Sequence, residues 1–353
     1  MKRIRKLSIA IILVSVSTIF SLSACTSTNK VNANAKIDLK DIKIGVTLYK
    51  QDDAFISTIA KNIEKSAKEK ESENDCKITV DFVDAKGSVV NQDDQVDRFI
   101  KQNYDVICVN LVDRTSAATI IDKAKTAKIP VIFFNREPVE EDMDRWNKVY
   151  YVGAQAEQSA EMEANIIINA YNREIGKVDK NGDGKIQYVM LEGEQGHQDS
   201  LIRTEYCIKT VSNSGIELEK LADDTANWLS SQSSTKMTQW IKEFGDKIEV
   251  VFSNNDDMAL GAIHALNEEN IKEKPLVVGI DGLPEALEAV KNGEMEGTVI
   301  NDSKLQASSI LEIAYRLSTN GDVSTIDGLE EGKYIKTNHA MVTKDNVNMF
   351  LEN

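Results

Sequence analysis

The chain has 353 residues, which exceeds what one hydrophobic core usually supports and suits two domains of ordinary size. Hydrophobic residues make up 41% of the sequence, so the main body is expected to fold rather than remain disordered. The formal net charge of -15 argues against nucleic acids and anionic lipid surfaces as binding partners.

The first 24 residues have the pattern of a secretory signal peptide. Basic residues precede an apolar run over residues 7–22, which is too short for a transmembrane helix and leads to small residues. The sequence Leu-Ser-Ala-Cys ending at Cys25 resembles a bacterial lipobox, which predicts a secreted lipoprotein anchored by acylated Cys25 to the outer face of the cytoplasmic membrane. An ordinary signal peptide followed by an incidental cysteine is the alternative. Residues 25–40 are polar and are expected to form a flexible tether.

From Ile42 onward, short apolar runs alternate with amphipathic segments. Ile56, Ile59, Ala60 and Ile63 follow the spacing of one helix face. The predicted strands are Ile42–Tyr49, Lys77–Val83, Asp105–Asn110, Val131–Phe134, Val149–Val152, Ile186–Leu191, Ile216–Leu221, Ile248–Phe252, Leu276–Ile280 and Gly297–Ile300. This alternation predicts α/β architecture with parallel sheets, and ten strands suit two lobes better than one. A break near Ile129–Pro130 is expected to separate the lobes.

Three cysteines remain after Cys25, namely Cys76, Cys108 and Cys207. Their odd number and wide spacing do not indicate a disulfide framework, and each lies in or near an apolar run. Buried thiols are therefore expected, and the spacing does not match a zinc site.

Polar side chains follow many of the predicted strands. Ligands of open parallel sheets bind beyond the carboxyl ends of the strands, so these side chains are candidate ligand-binding residues. Carboxylates, amides and arginine suit a neutral polyhydroxylated ligand, and Phe55 and Trp228 could cover apolar faces of a sugar ring. The alternative for each residue alone is a helix cap or turn. The strand-end polar residues are Asp53, Asn110, His197, Asp199, Arg203, Asn255, Asp281 and Asn301.

Seven ordered motifs between residues 42 and 344 resemble the periplasmic galactose/glucose-binding proteins of ABC transporters. They begin at Tyr49, Asn110, Gly193, Asp224, Asn254, Asp281 and Gly297, and the one at Gly193 reads Gly-Glu-Gln-Gly-His-Gln-Asp. The resemblance implies that Phe55 and Trp228 stack on the sugar and that the strand-end polar residues bind its hydroxyls and ring oxygen. It also implies that Asp53 admits either epimer at the 4-hydroxyl.

The resemblance implies a periplasmic binding protein type I fold, with two Rossmann-like lobes joined by a three-strand hinge. The expected N-terminal lobe covers residues 41–129 and 303–334, and the C-terminal lobe covers 130–302 and 335–353. The chain is expected to cross between lobes near Ile129–Val131, Asn301–Ser303 and Tyr334–His339. Lobe closure would trap the sugar for a permease, and a monomer is expected.

The segment starting at Asp179 matches the first nine places of an EF-hand loop. Its candidate Ca²⁺ ligands are Asp179, Asn181, Asp183, Lys185 through its backbone carbonyl, and Gln187. Met190 stands where an EF-hand has glutamate, so the loop alone is incomplete; a metal-free turn is the alternative. The family resemblance implies that Glu249 completes the site and that the ion is structural.

Three other functions compete with transport. A sugar-active enzyme could use paired carboxylates or His197 near Asp199, but the polar residues are spread over both lobes, and no GxGxxG, phosphate-loop or nucleophile-elbow motif follows a strand. A sugar-responsive transcription regulator would need a DNA-binding segment where a signal peptide stands. A sensory receptor for a signalling partner is compatible with the same binding residues.

Overall fold

Two six-stranded sheets organise the computed structural model, which describes residues 41–351; the predicted signal peptide, Cys25 and the tether lie outside the described residues. The first sheet contains, in spatial order, β11 (Tyr334–Thr337), β5 (Val149–Ala154), β4 (Val131–Phe134), β3 (Val106–Val109), β1 (Asp41–Leu48) and β2 (Lys77–Asp84). The second contains β12 (His339–Thr343), β10 (Gly297–Asn301), β9 (Leu276–Asp281), β8 (Val250–Ser253), β6 (Lys185–Glu192) and β7 (Glu217–Thr225). Every pairing is parallel except that of β10 with β12.

Helices cover both faces of each sheet. Those of the first lobe are α1 (Ala54–Asn74), α2 (Val89–Lys101), α3 (Ala117–Ala127), α4 (Glu140–Met143) and α11 (Ser303–Thr319). Those of the second lobe are α5 (Ala156–Arg173), α6 (Ile175–Val178), α7 (Gln198–Asn213), α8 (Ser230–Phe244), α9 (Asp256–Glu268), α10 (Pro284–Asn292) and α12 (Asn348–Leu351). Short 3₁₀ turns lie at Arg114–Ser116, Gly245–Lys247 and Val323–Thr325.

The central strands are buried on both faces, as their unbroken apolar runs predict. In β3, Val106 and Cys108 pack into the core on one side of the sheet, and Ile107 and Val109 pack into the core on the other. The fold class predicted from the sequence is confirmed.

The predicted change of lobe at Ile129–Pro130 is wrong. Strand β4 pairs in register with β3, and Val131 in turn pairs with Val149 of β5, so both strands extend the first sheet. The proline ends the connection after α3, and its carbonyl oxygen accepts a hydrogen bond from the backbone of Ile107. The chain leaves the first lobe after Ala154, because α5 packs against α7 of the second lobe.

The chain returns to the first lobe between Asn301 and Ser303, where α11 begins and packs against α1. It leaves again between β11 and β12, two short strands that the apolar pattern did not reveal. The cysteines Cys76, Cys108 and Cys207 are free thiols, and the last two are buried. No helix in residues 41–351 combines the length and apolar character needed to span a bilayer.

Candidate ligand-binding site between the lobes

The carboxyl ends of strands from both sheets converge on one cavity between the lobes, called here the inner pocket. Eight of the ten predicted ligand residues line it: Asp53, Phe55, His197, Asp199, Arg203, Trp228, Asn255 and Asp281. Tyr49, Ile56, Asn135 and Arg136 complete the wall. The space open to the centre of a water molecule is about 30 Å³, so a ligand of this pocket would be closely surrounded.

Asn110 and Asn301 lie next to the inner pocket rather than on its wall. The Nδ2 atom of Asn110 donates to Asn135 Oδ1 over 3.0 Å, and its own Oδ1 accepts from the backbone of Tyr49. Asn301 donates to Asp281 Oδ1 over 3.4 Å. In this structure, therefore, the two asparagines hold wall residues in place.

Three wall residues also begin helices. Asp53 Oδ1 accepts from the backbone of Ile56 at the start of α1, and Asn255 Oδ1 accepts from the backbone of Met258 at the start of α9. His197 Nδ1 accepts from the Asp199 backbone over 3.0 Å, which leaves the proton of a neutral ring on Nε2. The helix-cap alternative is therefore correct for these residues, and capping also fixes their side chains at the wall.

Arg203 supplies the main cationic group of the inner pocket and is 4% exposed. Its Nη1 donates to the carbonyl oxygen of Asn254 over 2.8 Å and lies 3.9 Å from Asp281 Oδ1, while Nη2 lies 3.7 Å from Asp199 Oδ2. Its Nε is buried and has no protein partner. Because a buried donor without a partner is costly, this atom is suited to an acceptor on a ligand.

Burial governs protonation in the inner pocket. Burial raises the pKa of Asp53, Asp199 and Asp281. Nearby groups lower it in part, chiefly the Tyr49 hydroxyl for Asp53 and Arg203 for the other two. Burial, together with Arg136 and Arg203, holds the pKa of His197 well below its usual value, so the ring is neutral near pH 7. Ligand hydroxyls that donate to these carboxylates would stabilise their charged forms.

Trp228 is held rigidly at the wall. Its ring lies 5.1 Å from that of His197, centroid to centroid, in an edge-on arrangement. The ring also lies against Gly193, where an added Cβ would come within 2.1 Å of the indole, so only glycine leaves space for it. Trp228 and Phe55 are 7% and 5% exposed, and both offer apolar ring surface to the pocket.

Unusual backbone conformations mark three wall residues. Asn135, Trp228 and Asp281 have positive φ values of 60°, 66° and 129°. Side chains with a Cβ rarely adopt these conformations, at a typical cost of about 1–3 kcal/mol each. Their presence in one cavity indicates that the surrounding fold holds these side chains in place for binding.

Sequence reasoning missed Tyr49, Asn135 and Arg136 as wall residues. The Tyr49 hydroxyl donates to Asp53 Oδ2 over 2.5 Å, and the Arg136 guanidinium lies 3.8 Å from the centroid of the Tyr49 ring. Asn135 and Arg136 directly follow β4, so the rule used for the other strands would have identified them.

The predicted calcium ligands are close together at the start of β6. Glu249, only 1% exposed, accepts from the backbone of Lys180 over 2.6 Å and from that of Gln187 over 2.9 Å. Asn181 Nδ2 lies 3.1 Å from Asp183 Oδ2 and 3.0 Å from Gln187 Oε1.

These oxygen donors, three of them carboxylates when Asp179 is included, fit a hard cation such as Ca²⁺. Within the described residues, no group of three or more His, Cys, Asp and Glu side chains has metal-binding geometry, so calcium stays a prediction.

Comparisons with known proteins agree with this architecture. A family model described as the periplasmic binding protein domain matches residues 44–322. The D-galactose/methyl-galactoside binding periplasmic protein MglB of Haemophilus influenzae is 36% identical over 314 residues, covering 88% of this chain and 92% of that protein. A xylitol-binding protein of Mycolicibacterium smegmatis is 31% identical over 88% of this chain and 79% of its own. A solved ABC transporter solute-binding protein from Bacillus halodurans with bound myo-inositol superposes with a TM-score of 0.74 and 28% identity, covering 89% of this chain and 99% of that one.

Proposed function

Because the chain belongs to the periplasmic binding protein domain family, we propose that it is the extracytoplasmic receptor of an ABC sugar transporter, which captures D-galactose or D-glucose between its lobes. The observation that carries the proposal is the inner pocket, where carboxylates, a buried arginine and two aromatic rings come from the strand ends of both lobes. Closing the lobes on a sugar would present a distinct form to the permease.

The chemistry of the inner pocket supports a neutral sugar. Asp53, Asp199 and Asp281 accept hydrogen bonds from hydroxyls, while Arg203 Nε and His197 Nε2 are donors for hydroxyl or ring oxygens. Phe55 and Trp228 can cover the C–H faces of a pyranose. The choice of galactose and glucose is supported by the 36% identity to the Haemophilus protein.

Asp53 is the residue proposed to admit both hexoses. A carboxylate can accept from either an axial or an equatorial 4-hydroxyl, which is the difference between galactose and glucose. Its Oδ2 already accepts from the Tyr49 hydroxyl, and each carboxylate oxygen retains capacity for a second donor.

The test is calorimetric titration of the full secreted chain with galactose, glucose, ribose and arabinose. We expect one-to-one binding of both hexoses and much weaker binding of both pentoses. Binding of one hexose alone would retain the receptor function and overturn the proposed dual specificity. Failure of folded, calcium-supplied protein to bind any of the four sugars would overturn the proposed ligand. Release of nitrophenol from a nitrophenyl galactoside would show that the protein hydrolyses a glycosidic bond. That result would contradict a receptor that binds sugar without converting it.

We also propose that the loop from Asp179 to Gln187, together with Glu249, binds Ca²⁺. The support is the close grouping of oxygen donors and the burial of two carboxylates, with Asp179 4% and Glu249 1% exposed. Both buried carboxylates accept backbone hydrogen bonds, Asp179 from Gly182 and Gly184 and Glu249 from Lys180 and Gln187. Neither forms an ion pair with a described lysine, arginine or histidine, so a Ca²⁺ ion would supply the positive charge that these hydrogen bonds do not. The ion would stabilise the second lobe.

A lipid anchor at Cys25 is proposed on the lipobox alone, for a receptor that acts as a monomer. Two or three acyl chains would hold the receptor stably at the membrane beside its permease. Replacement of Cys25 by serine should release the protein into the medium, as cell fractionation would measure. Retention of the serine variant at the membrane would overturn this anchor.

A further inference from the structure

Glu163 is a fully buried carboxyl group that does not line the inner pocket but lies close to Arg203, which does. It belongs to α5, which packs against α7, the helix that carries Arg203. Arg203 and Cys207 lie four residues apart on α7, and both act on the Glu163 carboxyl group. Because residues four apart share one face of a helix, Glu163 packs against the face of α7 from which Arg203 reaches the inner pocket.

The same carboxyl group supports the end of β8. Glu163 Oε1 accepts from the backbone of Ser253 over 3.1 Å. The next two residues belong to the binding site, since the carbonyl oxygen of Asn254 accepts from Arg203 Nη1 over 2.8 Å and Asn255 lines the inner pocket. Glu163 therefore contacts the segment that positions both Arg203 and Asn255.

Two buried polar atoms in this region have no nitrogen or oxygen partner among the described residues, namely Glu163 Oε2 and Arg203 Nε. The first is an acceptor when the carboxyl group is ionised, and the second is a donor. Buried donors and acceptors are rarely left unpaired. The Nε donor therefore has two competing partners, an oxygen of a sugar in the inner pocket and the ionised carboxyl group of Glu163.

We propose that Glu163 is a positioning residue of the sugar site, which leaves Arg203 to the sugar when it is protonated and draws Arg203 Nε away from the sugar when it is ionised. This inference rests on the proposed function, because it takes the sugar to be the ligand of Arg203. The other carboxylates hold the guanidinium loosely enough for such a shift, since Nη1 lies 3.9 Å from Asp281 and Nη2 lies 3.7 Å from Asp199. Sugar binding should therefore weaken as Glu163 loses its proton.

The surroundings of Glu163 keep it protonated near pH 7. Burial raises its pKa to about 8, and the buried carboxyl group of Asp256 on α9 also opposes ionisation, whereas Arg203 favours it. The thiol of Cys207 stays neutral, because burial and Glu163 raise its pKa well above the usual value. Loss of the Glu163 proton therefore creates a buried anion for which Arg203 is the nearby cation.

The other elements packed against α5 do not supply a competing cation. His339 at the start of β12 lies 3.1 Å from Gln158 of α5 through Nδ1, and burial lowers its pKa to about 3, so it is neutral. Lys177 of α6 is paired with Glu296 over 2.6 Å. Lys209 of α7 is exposed.

Calorimetric titration of the full secreted chain with galactose between pH 6.5 and pH 9.5 tests the proposal. We expect the Kd to rise about fivefold over this range, which corresponds to about 1 kcal/mol. Because the sugar-bound form would hold the Glu163 proton more tightly than the free form, binding at pH 8.5 should take up about 0.4 proton per sugar. Titrations in buffers of different ionisation enthalpy measure this uptake, which should be near zero at pH 6.5.

Glu163→Gln is the decisive variant, because glutamine can still accept from Ser253 and stays neutral at every pH. Its Kd for galactose should be the same at pH 6.5 and pH 9.5, and the proton uptake at pH 8.5 should disappear. Glu161→Gln, on the exposed side of the same helix, should retain both effects of the wild-type chain. Circular dichroism at each pH checks that every protein is folded.

A wild-type Kd that stays constant up to pH 9.5 would overturn this inference and leave the proposed function standing. The same rise in Kd, or the same proton uptake, in the Glu163→Gln variant would also overturn it. Failure of the folded wild-type chain to bind galactose at pH 6.5 would overturn the proposed function and this inference together.

Discussion

Glu163 is an ionisable residue in the interior of the second lobe. It lies within α5 and is completely buried. Its Oε1 accepts from the backbone of Ser253 over 3.1 Å, and Oε2 has no oxygen or nitrogen partner. Cys207 and Arg203 on α7 and Asp256 on α9 act on its carboxyl group. Burial raises the pKa of Glu163 to about 8, despite the hydrogen bonds that favour its charged form.

This pKa predicts how stability changes with pH. The unfolded chain loses the Glu163 proton near its ordinary pKa of 4.5, whereas the folded chain keeps it to about 8, so this residue makes folding less favourable as pH rises between these values. We expect Glu163→Gln to remove that loss and to raise the free energy of unfolding above pH 8 by about 2–4 kcal/mol. Urea unfolding of the wild-type chain and the variant at pH 5 and pH 8.5 measures this change in the free energy of unfolding.

Glu161→Gln provides the control, because Glu161 lies on the same helix and is exposed. It should leave the pH dependence unchanged. If Glu163→Gln shows the same difference between pH 5 and pH 8.5 as the wild-type chain, the carboxyl group is not held neutral by burial.

At the scale of helices and strands, the calcium loop is the element whose function the sequence predicts most specifically. Removing Ca²⁺ with a chelator should lower the melting temperature, because a ligand at a hundredfold excess over its Kd stabilises the fold by about 2.7 kcal/mol. Glu249→Gln should weaken this response, since the substitution removes one carboxylate. Thermal unfolding followed by circular dichroism, with and without Ca²⁺, measures both effects.

Lys185→Ala is the matched control in the loop. Its predicted contribution is a backbone carbonyl, and its side chain instead pairs with Glu217 at 2.9 Å, so the calcium response should persist. A melting temperature independent of Ca²⁺ in the wild-type chain would overturn the metal site.

The strands that the sequence predicts most clearly are those buried on both faces, because such burial requires an unbroken apolar run. Strands such as Val131–Phe134 are fully buried, and an unbroken apolar run is sufficient to identify them. Strands β11 and β12 are no shorter than Val131–Phe134, but their partly exposed positions interrupt the apolar run, so the pattern does not reveal them. The lobe boundary was misplaced because Pro130 marks the end of a connection, and sheet pairing between distant residues is not visible in a local pattern.

At the scale of the whole molecule, the binding site also depends on contacts between distant residues, which a local sequence pattern does not show. Residues at strand ends could be predicted, since parallel strands carry their carboxyl ends to one edge. The larger cavity beside the inner pocket, which Val89 and Gln198 help to line, could not be predicted, because these two residues come from different lobes and are brought together only where the lobes meet.

The ion pair between Arg136 and Glu194 joins the two lobes and is expected to favour the closed form. Arg136 belongs to the first lobe and Glu194 to the second, and their side chains are 8% and 34% exposed. Partial burial strengthens such a pair over one at the surface. Glu194→Gln should therefore shift the sugar-free protein toward open conformations. Because the apparent affinity falls with the closed fraction, the galactose Kd should rise about fivefold, or about 1 kcal/mol.

Small-angle scattering and calorimetry test this together. The sugar-free Glu194→Gln variant should have a larger radius of gyration than the wild-type chain, and saturating galactose should bring the two values together. Asp144→Asn is the control, because it removes a 2.7 Å ion pair with Lys333 within the first lobe and should change neither quantity. If the variant binds galactose more weakly but has an unchanged radius of gyration, Glu194 acts on the inner pocket itself. The lobes would then be held closed by the remaining contacts around it, such as the packing of Ala54 against the core of the second lobe.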